Sequence, residues 1–489
     1  MLTGFKRMTL AAAVALAVSG CATVGSDFAA PQASAETGFR HQVAAASAES
    51  ARLPAQWWTV FGDDSLNRLE QSALRDNPSV KAAAQRLLQA QAQAGVTRAG
   101  QGVQANVSTS VANSRTSANT SQGLALGNRS IEGNQYTVGA SMSYELDLLG
   151  RVRRMVEASD AQALGAEADR DGVLLLLSSQ VATTYWQLRG MDAELAILRG
   201  ALETRHETEQ LVTARFDAGL SNELDVSRAR IESANAQADL HEIQRQRNLL
   251  EHSLATLVGA SPSTLQLPAA AGSALPLPPA IPVGLPASLL AQRPDLAGSV
   301  AGLRAANAQI GVAEGAFYPS LSLTSNFGFA SENLRELAKG GSRQFSVGPL
   351  ALSLPIFDGG RNRANLAMAK ARYEEAVANH EGKLLTALRE VEDALSDVEQ
   401  RQRQGQAQAA SQVASARAYL VARARYERGV SSYLDVTDAQ RSALSADRAA
   451  AQINTQRLLA TVAVARSLGA GWQASPALAA ATQVTAKAQ

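Results

Sequence analysis

Four stretches of the chain alternate apolar with small polar residues. Val103, Ala105, Val107, Thr109 and Val111 alternate with Gln104, Asn106, Ser108, Ser110 and Ala112. Tyr136, Val138, Ala140, Met142, Tyr144 and Leu146 alternate with Thr137, Gly139, Ser141, Ser143 and Glu145, and Leu321, Leu323, Ser325, Phe327 and Phe329 with Ser320, Ser322, Thr324, Asn326 and Gly328. A period of two predicts strands with one greasy and one small polar face. The fourth stretch begins at Phe345, and its apolar phase slips near Gly348-Pro349, from Phe345 and Val347 to Leu350, Leu352 and Leu354, which predicts a bulge. Each stretch has roughly the 9 to 11 residues of a tilted membrane strand, with Tyr136, Tyr144, Phe317, Tyr318 and Phe345 near the ends. Alternation alone also describes a soluble sandwich with one wet face.

Each strand pair leads into a long helical pattern. Leu174, Leu177, Val181, Leu188, Met191, Leu195, Leu198 and Leu202 recur at spacings of three and four, with Thr184 in one seam position, inside a run from Arg151 to about Phe216 that lacks proline. Leu388, Val391, Leu395 and Val398 mark a similar seam in the proline-free run Arg361 to Glu427. A helix of that length reaches about 100 Å. Gly165, Gly172, Gly190, Gly200, Gly382 and Gly405 are candidate bending or close-packing points. Gly219 and Gly429 are placed to end these helices in the left-handed conformation, and Ser221 and Ser431 to cap the next ones. Returning helices are expected from Leu224 to Ala260 and from Leu434 to Ala470.

These elements occur twice. RFDAGLSNELDV at 215–226 and RYERGVSSYLDV at 425–436 match at a shift of 210, as do Gly150-Arg151 and Gly360-Arg361, Val181 and Val391, and Gly259-Ala260 and Gly469-Ala470. Earlier positions, from Pro78 and Pro294 to Val96 and Val312, match at 216, so six residues are gained between Ser108 and Gly150, where 113–134 is rich in Ser, Asn and Gly. A duplication this long predicts two pseudo-symmetric halves. They are a first repeat at 78–260 (strand pair about 102–148) and a second at 287–472 (strand pair about 319–357). A proline-rich linker at 261–286 joins them, an amino-terminal segment at 21–77 precedes them and a flexible tail at 473–489 follows.

Residues 1–20 read as a signal peptide: Lys6 and Arg7 precede the apolar run Met8 to Val18, which is too short to span a bilayer. Cys21, the sole cysteine, closes it. As an isolated thiol it would be unremarkable, but the segment resembles a bacterial lipoprotein box, which implies an acylated, palmitate-bearing cysteine at the mature amino terminus. Ala22 in place of Asp implies passage to the outer membrane, where several acyl chains give stable anchoring. After Cys21 no segment approaches 18 uninterrupted apolar residues, so any span must be a strand. Four strands cannot close a barrel, since single-chain barrels start at about 8. Several chains must share one.

Composition narrows the class further. Hydrophobic residues make up 46% but aromatics only 4%, which suits Ala-rich packed helices. Without Lys6 and Arg7 the chain carries 43 basic and 44 acidic residues, and no basic stripe points to nucleic acid. His41, His206, His241, His252 and His380 are scattered, with no His-Glu-x-x-His motif and no phosphate-binding glycine loop, so no catalytic site, metal site or cofactor is expected.

The chain resembles the TolC-like outer-membrane efflux factors, and more closely their lipid-anchored subfamily from tripartite drug-efflux systems. The resemblance covers nearly all of the mature chain: Gln56-Trp57-Trp58-Thr59-Val60-Phe61, Leu66, Leu69, Ala73-Leu74, Asn77-Pro78, the junctions YELDLLGRVRR and LPIFDGGRNR, the segment FYPSLSL and both hairpin motifs. It implies a mainly α protein with membrane β. In that fold a homotrimer forms a 12-stranded β-barrel, four strands per chain, continuous with a long periplasmic α-helical barrel. It further implies a passive channel for small molecules or drugs, working with a periplasmic adaptor (membrane fusion) protein and an inner-membrane efflux pump of the resistance-nodulation-division class. A channel for type I protein secretion would share the fold. A structural periplasmic coiled-coil lipoprotein would share the signal and the heptads but have no use for the strands.

Carried over residue by residue, the resemblance places the periplasmic gate at Tyr426, Leu434, Asp435 and Asp438, with Asp225 from the first copy. Leu434 and Asp438 are four apart on one helical face, so threefold symmetry would stack a leucine ring one turn from a carboxylate ring. Asp435 and Asp438 would equally suit solvated positions near a helix start. The adaptor-contact tips are Gly219, Leu220 and Ser221 and their mates Gly429, Val430 and Ser431. Ser221 and Ser431 carry no charge, which departs from family members with gate salt bridges there.

Overall fold

The computed structural model describes residues 23–30, 39–41, 53–270, 272, 274–281 and 293–477. The signal segment, Cys21, part of the proline-rich linker and most of the tail lie outside the described residues. A 3-10 turn at Trp57–Phe61 leads into α1 (Asp64–Asp76). The first repeat comprises α2 (Pro78–Ala99), β1 (Gln104–Arg115), the short α3 (Ser121–Ala125), β2 (Glu132–Leu146), α4 (Arg151–Asp217) and α5 (Glu223–Leu257). The second comprises α6 (Pro294–Gly315), β3 (Ser320–Ser331), β4 (Arg343–Ser353), α7 (Arg361–Glu427) and α8 (Tyr433–Ser467).

The duplication is structural. α2 and α6, and β1 and β3, begin and end 216 residues apart, while α4 and α7, and α5 and α8, do so 210 apart. The six additional residues of the first copy therefore lie between β1 and α4, mostly in the connection 116–131, against 332–342 in the second, and in β2, which is longer than β4. The four strands form one antiparallel sheet in the order β1-β2-β3-β4. The expected bulge lies in β4: the register steps between Leu323 and Ser325, so Gly348 and Pro349 together face one residue of β3.

α4 and α7 each run for 67 residues, about 100 Å at 1.5 Å per residue. An aspartate starts each of them. Asp147 accepts from the amides of Val152 and Arg153 at 3.1 and 2.9 Å, and Asp358 accepts from those of Gly360 and Asn362 at 2.9 Å each. At the far end Gly219 and Gly429 have φ of 72° and 76°, and the amides of Leu220 and Val430 reach back to the carbonyls of Arg215 and Arg425 at 2.8 and 3.0 Å, closing Schellman turns. The caps of the returning helices lie one residue beyond the expected serines. Asn222, not Ser221, caps α5 by accepting from the amide of Asp225, and Ser432, not Ser431, caps α8 in a capping box with Asp435. The two-residue turn after each left-handed glycine shifts the first helical position by one. The returning helices end at Leu257 and Ser467, just before Gly259 and Gly469, which have positive φ.

The candidate bending glycines sit inside unbroken helices. At Gly190 the reason is packing: a Cβ there would lie 2.4 Å from Thr455 Oγ1 of α8. The main core gathers Trp57, Trp58, Leu66, Leu69 and Ala73 against Val181, Tyr185 and Trp186 of α4, Leu254 of α5 and Leu458, Val462 and Ala465 of α8. It ties the start of the chain to both hairpins. The first part of the linker is held on hairpin one by a buried charge network. Arg247 bonds to Asp192 at 2.7 Å and to the carbonyl of Leu267 at 2.6 Å, and Arg189 bonds to Asp192 and to the carbonyl of Pro268 at 2.9 Å each.

The two long helices differ in burial. α4 is buried along much of its length, whereas its mate α7 buries only Asn362, Ala369, Ala387, Val391, Ala394, Leu395 and Tyr426 and exposes Leu385, Val413 and Leu420.

Candidate functional site

The sheet is amphipathic across its whole width. Val107 pairs with Ala140, Ala140 with Phe327 and Phe327 with Phe345, so one apolar row crosses all four strands. On the other face Asn106, Ser141, Asn326 and Ser346 form a polar row, and Ser108, Gly139, Gly328 and Gln344 another. Among the described residues nothing covers the apolar face: Val107 is 82% exposed, Phe345 70% and Val347 79%. A shallow hollow lies on the polar side, lined chiefly by Ser108, Ser110, Thr137, Ser141, Asn326, Gln344 and Ser346. Gly328 is required there, because a Cβ would come within 2.4 Å of the carbonyl oxygen of Val138. Among the described residues β1 and β4 pair on one side only, leaving two open edges. In lipid such edges are costly, and in water the bare apolar face would be.

The hairpin tips lie at the other end of the long helices. Leu220 and Val430, at matching repeat positions, are 70% and 65% exposed, and no atom lies within 4 Å of a Cβ built at Gly219. At Gly429 the one such atom is Arg215 Nη2, at 4.0 Å. The described tip thus presents two parallel apolar points beside bare backbone. Ser221 is half-buried and bonds to Asp225 at 3.2 Å; Ser431 Oγ is buried without a partner.

The candidate gate residues separate into two groups. Tyr426 is buried between the hairpins with Val212, Val226, Ala229, Tyr433 and Val436, its ring 5.7 Å from that of Tyr433 and 4.9 Å from the Arg215 guanidinium carbon. Asp225 is tied to Ser221 and Asn222 in its own turn, and Asp435 to the Ser432 amide at 3.2 Å. These three have partners within the tip, although Asp435 is also exposed. Leu434 and Asp438 are exposed, one turn apart on α8; among the described residues no hydrogen bond fixes the Asp438 carboxylate, whose charge helps raise the pKa of Arg441.

A charge clasp beside them was not singled out from the sequence. Glu232 of α5, 3% exposed, receives Arg205 of α4 at 3.2 Å and Arg441 of α8, whose Nε is 2.9 Å away. Arg205 also bonds to the Glu232 carbonyl at 3.1 Å. Nearby, Gln440 reaches Thr208 at 3.2 Å and Arg448 reaches Glu194 at 2.6 Å. One signal was available: the clasp residues break the repeat, since the mate of Glu232 is Ser442 and the mate of Arg441 is Ile231. Here the broken symmetry coincides with a contact between α5 of the first repeat and α8 of the second.

His241 and His252 are exposed on α5, and among the described residues no group of three His, Cys, Asp or Glu could hold a metal ion.

Comparison with known proteins gives one consistent answer. The family described as outer membrane efflux protein matches residues 69–260 and 285–470, one segment per repeat. The chain is 37% identical over 431 residues to the outer membrane protein OprJ of Pseudomonas aeruginosa, covering 88% of this chain and 89% of that one. It is 32% identical over 470 residues to the cation efflux system protein CusC of Escherichia coli O6:H1, covering 94% and 98%. The solved structure of the outer-membrane channel OprN superposes with a TM-score of 0.85 at 32% identity, covering 92% of this chain and 99% of that one.

Proposed function

The chain belongs to the outer membrane efflux protein family, and from that premise we propose that three copies close one barrel and serve as the exit duct of a tripartite pump. It is an outer-membrane efflux channel. The observation that carries the assembly is the sheet: four strands, two open edges and an uncovered apolar face make a third of a barrel, not a barrel. The asymmetry between α4 and α7 supports the same reading. The exposed leucines and valine of α7 need a partner that α4 finds within its own chain, and head-to-tail packing around a threefold axis supplies one. Small molecules then pass up along the helical wall and out along the polar face of the barrel, moved by an inner-membrane pump of the resistance-nodulation-division class through a periplasmic adaptor. Acylation at Cys21 holds each chain in the outer membrane.

The periplasmic end narrows at Leu434 and Asp438. Both side chains are exposed, Asp438 close enough to Arg441 to raise that guanidinium's pKa, and three copies would converge as an apolar ring and a carboxylate ring, the latter attracting cations. In a planar bilayer Asp438→Ala is expected to weaken cation block and to raise single-channel conductance, and Asp438→Ala with Leu434→Ala to raise it about twofold or more. Asp160→Ala, near the start of α4, is the control. A double variant that forms trimers yet conducts like the parent, with unchanged cation sensitivity, puts the constriction elsewhere.

The adaptor docks on the tips around Gly219, Leu220 and Ser221 and around Gly429, Val430 and Ser431. Gly429 is the sensitive point because a large side chain would strain its left-handed φ and would cover the bare backbone that an approaching partner meets. Gly429→Leu is expected to abolish adaptor crosslinking and efflux. Should crosslinking and efflux both persist in Gly429→Leu trimers, docking does not use this turn.

A further inference from the structure

Residues 23–28, which follow the expected lipidation cysteine, are the first described residues of the chain, and they are pinned at one place. The amide of Val24 donates to the carbonyl of Leu149 at 2.9 Å, in the turn between β2 and α4. Arg154 of α4, only 7% exposed, donates from Nε to the carbonyl of Val24 at 3.2 Å and from Nη2 to the carbonyl of Gly25 at 2.8 Å and to Asp27 at 2.8 Å. Its Nη1 is held by Glu157 at 2.7 Å. From the other repeat, Asn307 of α6 donates to the carbonyl of Ser26 at 2.9 Å.

Three glycines make room for this segment. Gly25 has φ of 87°, and a Cβ on it would lie 2.7 Å from the Gly311 Cα of α6. A Cβ on Gly311 would press Arg154 Cγ at 3.0 Å and the Val24 carbonyl at 3.2 Å, and one on Gly150 would strike Thr23 at 2.9 Å. The duplicated half shows what the groove is without its occupant. The mates of Gly150 and Gly311, Gly360 and Gly95, have nothing within 4 Å of a built Cβ. The mates of Arg154 and Asn307 are Ala364 and Gln91. The arginine that reads two consecutive carbonyls therefore exists at one junction per chain, between the first repeat's α4 and the second repeat's α6.

We propose that Leu149, Arg154, Asn307 and Gly311 form an internal docking site for residues 23–27, which fixes the lipid-bearing end of the chain at the strand–helix junction of the first repeat. This rests on the reading of Cys21 as the acylated residue. One residue, Ala22, separates it from Thr23, so their Cα atoms can be at most about 7 Å apart. The acyl chains then enter the bilayer beside the end of β2 and load the rigid α4–α6 pair directly, rather than a slack tether. In a trimer the grooves would alternate, three with the arginine inside a chain and three without it between chains, so the anchors are spaced evenly around the barrel.

Hydrogen exchange on the detergent-extracted full-length protein tests the site, with mass spectrometry of peptic fragments covering 22–30 and of control fragments from the α8 tip. In the parent the amino-terminal fragment is expected to be protected. In Arg154→Ala with Asn307→Ala, and independently in Gly25→Ala, its exchange rises at least tenfold while the tip fragments are unchanged. Gly25→Ala lies outside every helix and decides the matter if the double variant fails to assemble. Exchange at the unstructured rate in the parent, or equal protection in the parent and in Gly25→Ala, overturns the docking site. Intact mass of the same samples is read separately: a chain starting at Cys21 with added acyl mass supports the lipid reading. Protection without acyl mass rejects the lipid anchor and leaves the docking site standing.

Discussion

Replacing Glu232 by alanine is expected to unclasp the two hairpins and to cost about 3–5 kcal/mol, because it leaves the buried Arg205 guanidinium without its carboxylate. Arg205 is 8% exposed, and the bond that Glu232→Ala leaves it is the one to the backbone carbonyl of residue 232 at 3.1 Å. Arg441→Ala breaks the same clasp from its exposed side. That guanidinium is 57% exposed, so its loss should cost only about 1 kcal/mol or less. The pair of variants separates stability from gating. Both free α8 from α5 one turn from Asp438, so both should raise single-channel conductance, while only Glu232→Ala should lower the melting temperature of the assembled protein by several degrees. If Arg441→Ala and the parent show the same conductance and the same opening frequency, the clasp holds the fold together and has no part in the gate.

The second large effect comes from Glu70 on α1. Its side chain is fully buried beside Leu66 and Leu69, neither carboxylate oxygen has a partner, and burial pushes its pKa up to about 9. The folded protein keeps a proton that the unfolded chain releases near 4.5. Stability from this group is therefore complete below about pH 4.5, falls steadily as pH rises toward 9, and is lost above it. At pH 7 the deficit is about 3 kcal/mol. Glu70→Leu removes both the titration and the desolvation of an unpartnered acid. It should raise the thermal midpoint at pH 7 and flatten its decline between pH 5 and 9, and Glu70→Gln should flatten the decline with a smaller rise. A midpoint that falls with pH as steeply in Glu70→Leu as in the parent would rule out this carboxyl as the source.

Periodicity made the architecture legible to within a few residues. The alternation of Leu321 to Phe329 gave strand β3, and the slip at Gly348-Pro349 gave the bulge, because a period of two changes face at every residue and cannot hide a register shift. The 210 and 216 shifts carried the helix ends from one copy to the other, since duplicated turns such as Gly219 and Gly429 keep the same backbone conformation. The caps were misread by one residue because serine stands at 221, 431 and 432, and asparagine at 222, and pattern alone does not choose among neighbouring capping residues.

The charged residues were less legible. Glu232, Arg441, Arg154 and Glu70 act through partners or burial supplied by distant segments, and no local spacing reveals them. Tyr426 and Asp435 were grouped with Leu434 and Asp438 by motif, yet packing buries the tyrosine between the hairpins and capping occupies the aspartate. A motif records which residues occur together. It does not record which of them are already held by neighbours.

Native mass spectrometry of the full-length protein, extracted from outer membrane into detergent, tests the shared barrel most directly. The account predicts a complex of three chains, with strand content by circular dichroism that is lost together with the trimer. A stable single chain that keeps its full strand content would contradict it.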